Sequence, residues 1–198
     1  MCRPVPGTAV GSFAAVTAGP GPAHSGRKAV TEIEIIDVTR QLLDAGGSGA
    51  VSIKRIAAAL DVVPNAVYRY FPDRDAVLNA LVERILGEID HAAVDAGGPT
   101  WRRRLEVLAG EIRRALARQP ALVSLMLTMP LDGPNAGAIC DRILDLLAEA
   151  GLKDDHAQRA AHLLKAYLLG ALALDAGAEQ YAWGLRRVLR GLTRADLA

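Results

Sequence analysis

The sequence predicts an all-α protein, and three observations carry that expectation. From Arg27 onward, apolar residues recur at three- and four-residue spacing, and the two-residue alternation of a strand is almost absent. Breaks rich in Gly and Pro cut this pattern into segments of helix length. The 198 residues are 51% hydrophobic and only 4% aromatic, enough apolar material for a core that needs no disulfide or metal.

The elements follow in order. Residues 1–26 are rich in Gly, Pro, Ala and Val with no sustained period, which predicts a disordered arm. Arg3 ahead of the apolar stretch Val10 to Ala18 suggests a signal peptide, but the stretch is short and ends in Gly-Pro-Gly-Pro rather than a cleavage site. Ile33, Ile36, Leu42 and Leu43 put an apolar stripe on a first helix, stopped by Gly46-Gly47-Ser48-Gly49. Ser52 is a good N-cap for a short second helix, Ile53 to Leu60, with Val51 and Ile56 placed as a hydrophobic staple. Pro64 suits the first position of a third short helix ending near Phe71-Pro72. Asp73 caps a fourth helix carrying Leu78, Leu81, Val82, Ile85 and Ile89.

After the break Ala96-Gly97-Gly98-Pro99, Trp101, Leu105, Leu108, Ile112 and Leu116 mark an amphipathic helix stopped by Gln119-Pro120. A shorter apolar segment, Leu122 to Met129, leads to the turn Asp132-Gly133-Pro134-Asn135. Three Ala/Leu-rich helices follow at about 136–150, 155–175 and 179–193. The expected division is an arm over 1–26, a three-helix helix-turn-helix domain over 27–90, and an antiparallel helical effector-binding and dimerisation domain over 91–198.

Composition and motifs exclude several functions. With 23 Lys and Arg against 22 Asp and Glu, the net charge is +1, so no bulk positive field announces nucleic acid. No apolar run approaches the roughly 18 residues that span a membrane. Cys2 and Cys140 stand 138 positions apart, which reads as a reduced, cytoplasmic protein, with Cys140 a small hydrophobe. Gly46-Gly47-Ser48-Gly49 follows a helix rather than a strand and is no phosphate loop. His156 and His162, six apart, point away from each other around a helix and cannot share a metal. No enzyme, metal or cofactor is expected.

Two short helices with a tight turn between them, Ser52 to Phe71, braced by a preceding helix, have the layout of a helix-turn-helix. Three of the eight aromatic residues fall within Tyr68-Arg69-Tyr70-Phe71. The stretch from Ser52-Ile53-Lys54-Arg55-Ile56-Ala57 through Tyr68-Arg69-Tyr70-Phe71 to Arg74 resembles the TetR family of transcriptional repressors. More loosely, Trp101-Arg102-Arg103-Arg104-Leu105 and Gly133-Pro134-Asn135-Ala136 resemble the C-terminal domain of its tetracycline-repressor branch.

The resemblance implies phosphate contacts for Ser52, Tyr68, Tyr70 and Arg74, and a base or phosphate contact for Lys54. It places Pro64, Asn65 and Ala66 at the start of the recognition helix, where bases are read. Asn65 can pair with adenine and Ala66 can pack on a thymine methyl. Three positions depart from the family pattern: Asp61 replaces a usual Gly, Val63 a capping Ser or Thr, and Ala66 a Thr. The implied function is a ligand-responsive repressor that reads a palindromic operator in double-stranded DNA as a homodimer. Its dimer would use helices near 136–150 and 155–193. A largely apolar small-molecule effector would bind near Trp101, Met126, Thr128, Met129 and Tyr167. The alternative is a helical ligand-binding or adaptor module without DNA binding, which predicts no duplex affinity at low salt.

Overall fold

The computed structural model describes residues 29–192. The predicted arm over 1–26 and Cys2 lie outside the described residues; Cys140 is half-buried and disulfide-bonded, which corrects the expected reduced thiol. Every regular element among the described residues is helical: α1 (Glu32–Gly46), a single 3₁₀ turn (Ser48–Ala50), α2 (Ile53–Ala59), α3 (Pro64–Tyr68), α4 (Arg74–Leu86), α5 (His91–Asp95), α6 (Trp101–Leu116), α7 (Pro120–Met126), α8 (Pro134–Glu149), α9 (Asp154–Ala173) and α10 (Ala178–Gly191).

Local chemistry sets most of the boundaries. Thr31 and Glu34 form a capping box at α1: the Glu34 amide donates to Thr31 Oγ1 at 3.2 Å and the Thr31 amide to the Glu34 carboxylate at 2.9 Å. Val30 and Ile35, both buried, flank that cap as a hydrophobic staple. The buried face of α1 is Ile35, Ile36, Thr39 and Leu43. Ile33 is 63% exposed, which corrects the predicted stripe. The stripe instead runs through Thr39, whose hydroxyl is satisfied by the Ile35 carbonyl at 2.7 Å. Gly47 takes φ +65° where the chain leaves α1.

Three further differences concern punctuation. The third helix stops at Tyr68 rather than Phe71, and Ile89 is buried just beyond the end of α4. The short α5 has no periodic signature in five residues. The segment around Leu122 to Met129 is a helix that starts at Pro120, so this proline opens α7 as well as closing α6.

One continuous core links all of this. Helix α4 packs on α1 on one side and on α6 and α8 on the other, while α7 reaches back to α1. Helix α6 sits centrally in the second half of the chain, against α5, α8, α9 and α10. Its buried side, Leu105, Leu108, Ile112 and Leu116, is the predicted one, with Trp101 half-buried at its start.

Candidate nucleic-acid interface

The two short helices are built by their ends. Ser52 caps α2, its Oγ accepting the Arg55 amide at 3.2 Å, and Val51 and Ile56 are both buried beneath it. Asp61 then takes φ +55°, so the turn keeps the left-handed conformation for which glycine is the usual residue. Val63 precedes α3 without a side-chain cap, and Pro64 occupies the opening turn. Val67 is fully buried and Phe71, four residues on, is 6% exposed, so this edge anchors α3 to the core. The opposite side presents Pro64, Asn65, Tyr68 and Arg69 to solvent, with Tyr68 51% exposed. Lys54 is exposed on the first turn of α2, and Ser52 is half-buried beside it.

Three predicted contacts are placed differently. Ala66 is half-buried against the core, not on the outer side of α3. Tyr70 donates its hydroxyl to the Val30 carbonyl at 2.7 Å. A phosphate oxygen needs that same hydrogen, so Tyr70 here braces the entry to α1 instead of offering a donor. Arg74 donates from Nε to the Val51 carbonyl at 3.0 Å and from Nη2 to the Ser48 carbonyl at 2.7 Å. It also faces Asp75 at 3.4 Å. Arg74 therefore ties the start of α4 to the loop that presents Ser52. In sequence it reads as a surface cation, because nothing local reveals carbonyls 23 and 26 residues away.

Arg69 adds a cation to this surface. It stands one turn after Asn65, and that spacing puts it on the exposed side of α3. Among the described residues neither Lys54 nor Arg69 enters an ion pair, whereas Asp37 is taken up by Arg84 at 2.9 Å, away from α3. Few backbone N–H groups remain at the helix starts, since Ser52 takes the Arg55 amide at α2, Pro64 has none at α3 and the Ala66 amide bonds the Val63 carbonyl.

The second half of the chain holds a small apolar cavity of about 10 Å³ between α6, α8, α9 and α10, lined by Leu105, Leu108, Ile143, Leu164, Leu168 and Leu185. That is room for about one water. None of the predicted effector residues lines it. Met126 is buried in α7; Thr128 is exposed and donates to the Leu125 carbonyl at 3.1 Å. Met129 is half-buried, and Trp101 carries the Arg102 guanidinium 4.3 Å over its ring. Tyr167 donates to the Tyr181 carbonyl at 2.6 Å, and Tyr181 donates to the Ala109 carbonyl at 3.0 Å. This ladder ties α9 to α10 and α10 to α6. Burial pushes the Tyr181 hydroxyl well above the usual tyrosine range, Tyr167 adds to the rise, and Arg113 opposes it. Hydrophobicity alone selected Met126 and Met129; the cavity is walled by leucines indistinguishable in sequence from any other core.

No group of His, Cys, Asp and Glu among the described residues is arranged to hold a metal ion. No helix among them is long and apolar enough to cross a membrane.

A braced α2–α3 pair, carried by a helix that continues into a larger helical half, defines the two-part layout of a helix-turn-helix transcriptional regulator. Comparison with known proteins makes this specific. Residues 35–81 match the model for bacterial regulatory proteins of the tetR family, and residues 95–189 match that for the tetracyclin repressor-like C-terminal domain. Between them they cover more than half of the chain, and the chain belongs to the TetR family.

Among curated relatives, the transcriptional repressor DrrR1 of Streptomyces coeruleorubidus is 28% identical over 153 residues, covering 77% of this chain and 56% of that protein. The chain spans about half the length of the curated relatives it matches. The crystal structure of Mycobacterium smegmatis BioQ superposes with a TM-score of 0.73 at 22% identity, covering 82% of this chain and 98% of that one. BioQ has also been solved with its double-stranded DNA operator, with a TM-score of 0.69. ActR of Streptomyces coelicolor, in complex with actinorhodin, aligns with a TM-score of 0.68 at 20% identity, covering 82% of this chain and 96% of that one. These likenesses show the fold.

Proposed function

We propose that this chain is a cytoplasmic, homodimeric, ligand-responsive repressor that reads a palindromic operator. The observation that carries the reading is the outward side of α3: Pro64, Asn65, Tyr68 and Arg69 stand exposed while Val67 and Phe71 fix the helix from behind. Asn65 suits an adenine edge, Tyr68 and Ser52 donate hydroxyls to phosphate, and Lys54 and Arg69 supply charge. Ala66 contributes through its methyl only at the rim of that surface. Residues 27–90 form the DNA-binding part and 91–198 the effector and dimerisation part, with α4 as the shared strut.

A single α3 reaches too few bases for useful specificity. Two of them on a two-fold axis, about 34–36 Å apart, reach successive major grooves. The dimer forms through α9 and α10, which leave Leu163, Leu174 and Trp183 exposed by 49%, 85% and 50%. The effector is a largely apolar small molecule that enters by parting the leucines around the α6–α8–α9–α10 cavity. It acts only if it binds the parted and closed forms with different affinity.

Selection from a random duplex pool by the purified full chain tests the reading, with Tyr68→Phe and Lys54→Ala as comparisons. Enrichment of one palindrome, weakened in both variants, is the expected result. No enriched sequence at low salt overturns it in favour of a helical binding module without DNA.

A further inference from the structure

Helix α8 begins without a cap of its own: Gly133 has no side chain, and Pro134 has no N–H to offer. The first two available amides, Asn135 and Ala136, both donate to the carboxylate of Glu83, at 2.6 and 3.1 Å. Asn135 Nδ2 then donates back to the Glu83 carbonyl at 2.8 Å. This is the reciprocal pattern of a capping box, made between two helices 52 residues apart in sequence. Glu83 lies on α4, and the next residue, Arg84, pairs with Asp37 of α1 at 2.9 Å. Consecutive residues of α4 thus hold the two parts of the molecule: Arg84 the DNA-binding side, Glu83 the start of α8.

Gly133 makes this approach possible. A Cβ there would stand 2.5 Å from both Glu83 Cγ and Oε1, and closer still to Cδ. Gly133 has φ −75°, ψ 168°, which any residue adopts, so the requirement is for space and not for backbone freedom. The carboxylate also sits at the positive end of α8, where a negative charge is favoured.

We infer that Glu83 is a positioning residue for DNA recognition: by capping α8 from α4 through Asn135 and Ala136, it fixes the angle at which α4 carries α3, and so the separation of the two recognition helices in the dimer. The inference rests on the dimeric DNA-binding reading above. It predicts that opening the Glu83 cap changes which half-site spacing is accepted, while contacts within each half-site stay as they were.

The test uses the full chain and a series of duplexes bearing the selected palindrome with its half-sites at the selected spacing, or one and two base pairs longer and shorter. Gly133→Ala is the main variant, because its methyl displaces the end of a flexible side chain, leaves every charge in place and suits the local backbone. Glu83→Gln is the second: it keeps the side chain's size but replaces one acceptor oxygen with an N–H donor. Arg84→Ala serves as the comparison that leaves the α4–α8 cap untouched.

The expected result is that the parent prefers one spacing by about thirtyfold, while Gly133→Ala and Glu83→Gln reduce that preference to about threefold, with binding to nonspecific duplex unchanged; one added base pair moves a half-site by about 3.4 Å and rotates it by about a tenth of a turn. If both variants melt earlier yet keep the parent's spacing preference, Glu83 is only a stabilising cap and the inference is overturned. Loss of folding in one variant leaves the other to decide. If the parent itself selects no duplex, the functional reading fails first and the inference with it.

Discussion

Replacing Arg74 separates bracing from phosphate binding. Two of its hydrogen bonds reach backbone carbonyls, Val51 at 3.0 Å and Ser48 at 2.7 Å, and the side chain is 38% exposed. The Asp75 pair is exposed and contributes little. In Arg74→Ala, the Ser48 carbonyl returns to water, whereas the Val51 carbonyl is partly sheltered. A loss of about 1–2 kcal/mol follows for charge-assisted bonds in competition with solvent. For a chain of this length, that lowers Tm by about 2–8 °C. Melting followed by circular dichroism reads that change. Binding of the selected duplex, measured from low to moderate salt, reads the other. A brace leaves the slope of log K against log salt unchanged, while Lys54→Ala flattens it by about one per protomer at an unchanged Tm. If Arg74→Ala flattens the slope and leaves Tm where it was, Arg74 binds phosphate and the bracing account is wrong.

Other substitutions probe the turns and the tyrosine ladder. Val63→Ser gives α3 the cap it lacks, and chemical denaturation should show a gain of about 0.5–1.5 kcal/mol, since Val63 is 43% exposed and little burial is lost. At Asp61, φ +55° makes Asp61→Gly neutral to stabilising, while Asp61→Val should cost about 1–2 kcal/mol in the same measurement. Tyr181 is held neutral by burial, with its folded pKa raised above the unfolded value. The stability it contributes is therefore complete below about pH 10, the unfolded tyrosine value, and declines as pH rises beyond that. Tm measured from pH 8 to 11 should fall more steeply in the parent than in Tyr181→Phe, and equal slopes would remove Tyr181 as the cause.

The sequence carried the α2–α3 pair well because its determinants are local. A cap at Ser52, a staple at Val51 and Ile56, a proline at 64 and a cap at Asp73 each act within four residues, and Ala76 donates to Asp73 Oδ1 at 2.8 Å as expected. Ile33 misled because spacing on one helix does not say where its packing partners end. Tyr70 and Arg74 misled for a related reason: their acceptors, Val30, Ser48 and Val51, are brought close only by the fold. The effector residues were the least legible. Met126 and Tyr167 carry chemistry that suggests a pocket, yet one fills the core and the other ties α9 to α10. Glu83 gave no signal at all, since a glutamate near the end of an amphipathic helix looks like surface.

The proposed operator binding asks a chain with a net charge of +1 to meet a polyanion. Residues 27–75 hold seven basic and seven acidic side chains, but most of the acids are committed to the scaffold. Glu34 closes the α1 capping box, Asp37 pairs with Arg84, Asp44 accepts from Gln119, Asp73 caps α4 and Asp75 faces Arg74. Between Ser52 and Pro72 there remain Lys54, Arg55 and Arg69 against Asp61 alone, so the surface around α2 and α3 is locally positive. Arg55 spends one N–H on the Ala50 carbonyl, which leaves two to three uncommitted cations on this surface. For the proposed dimer on DNA this corresponds to a salt slope of about −3.6 to −5.4, a modest one. Under the proposed function, much of the affinity then has to come from neutral groups, namely Asn65 and the Tyr68 and Ser52 hydroxyls. Those groups act only at correct registration, which is why the tie from Glu83 to α8, far from the DNA, bears on how selective the surface is.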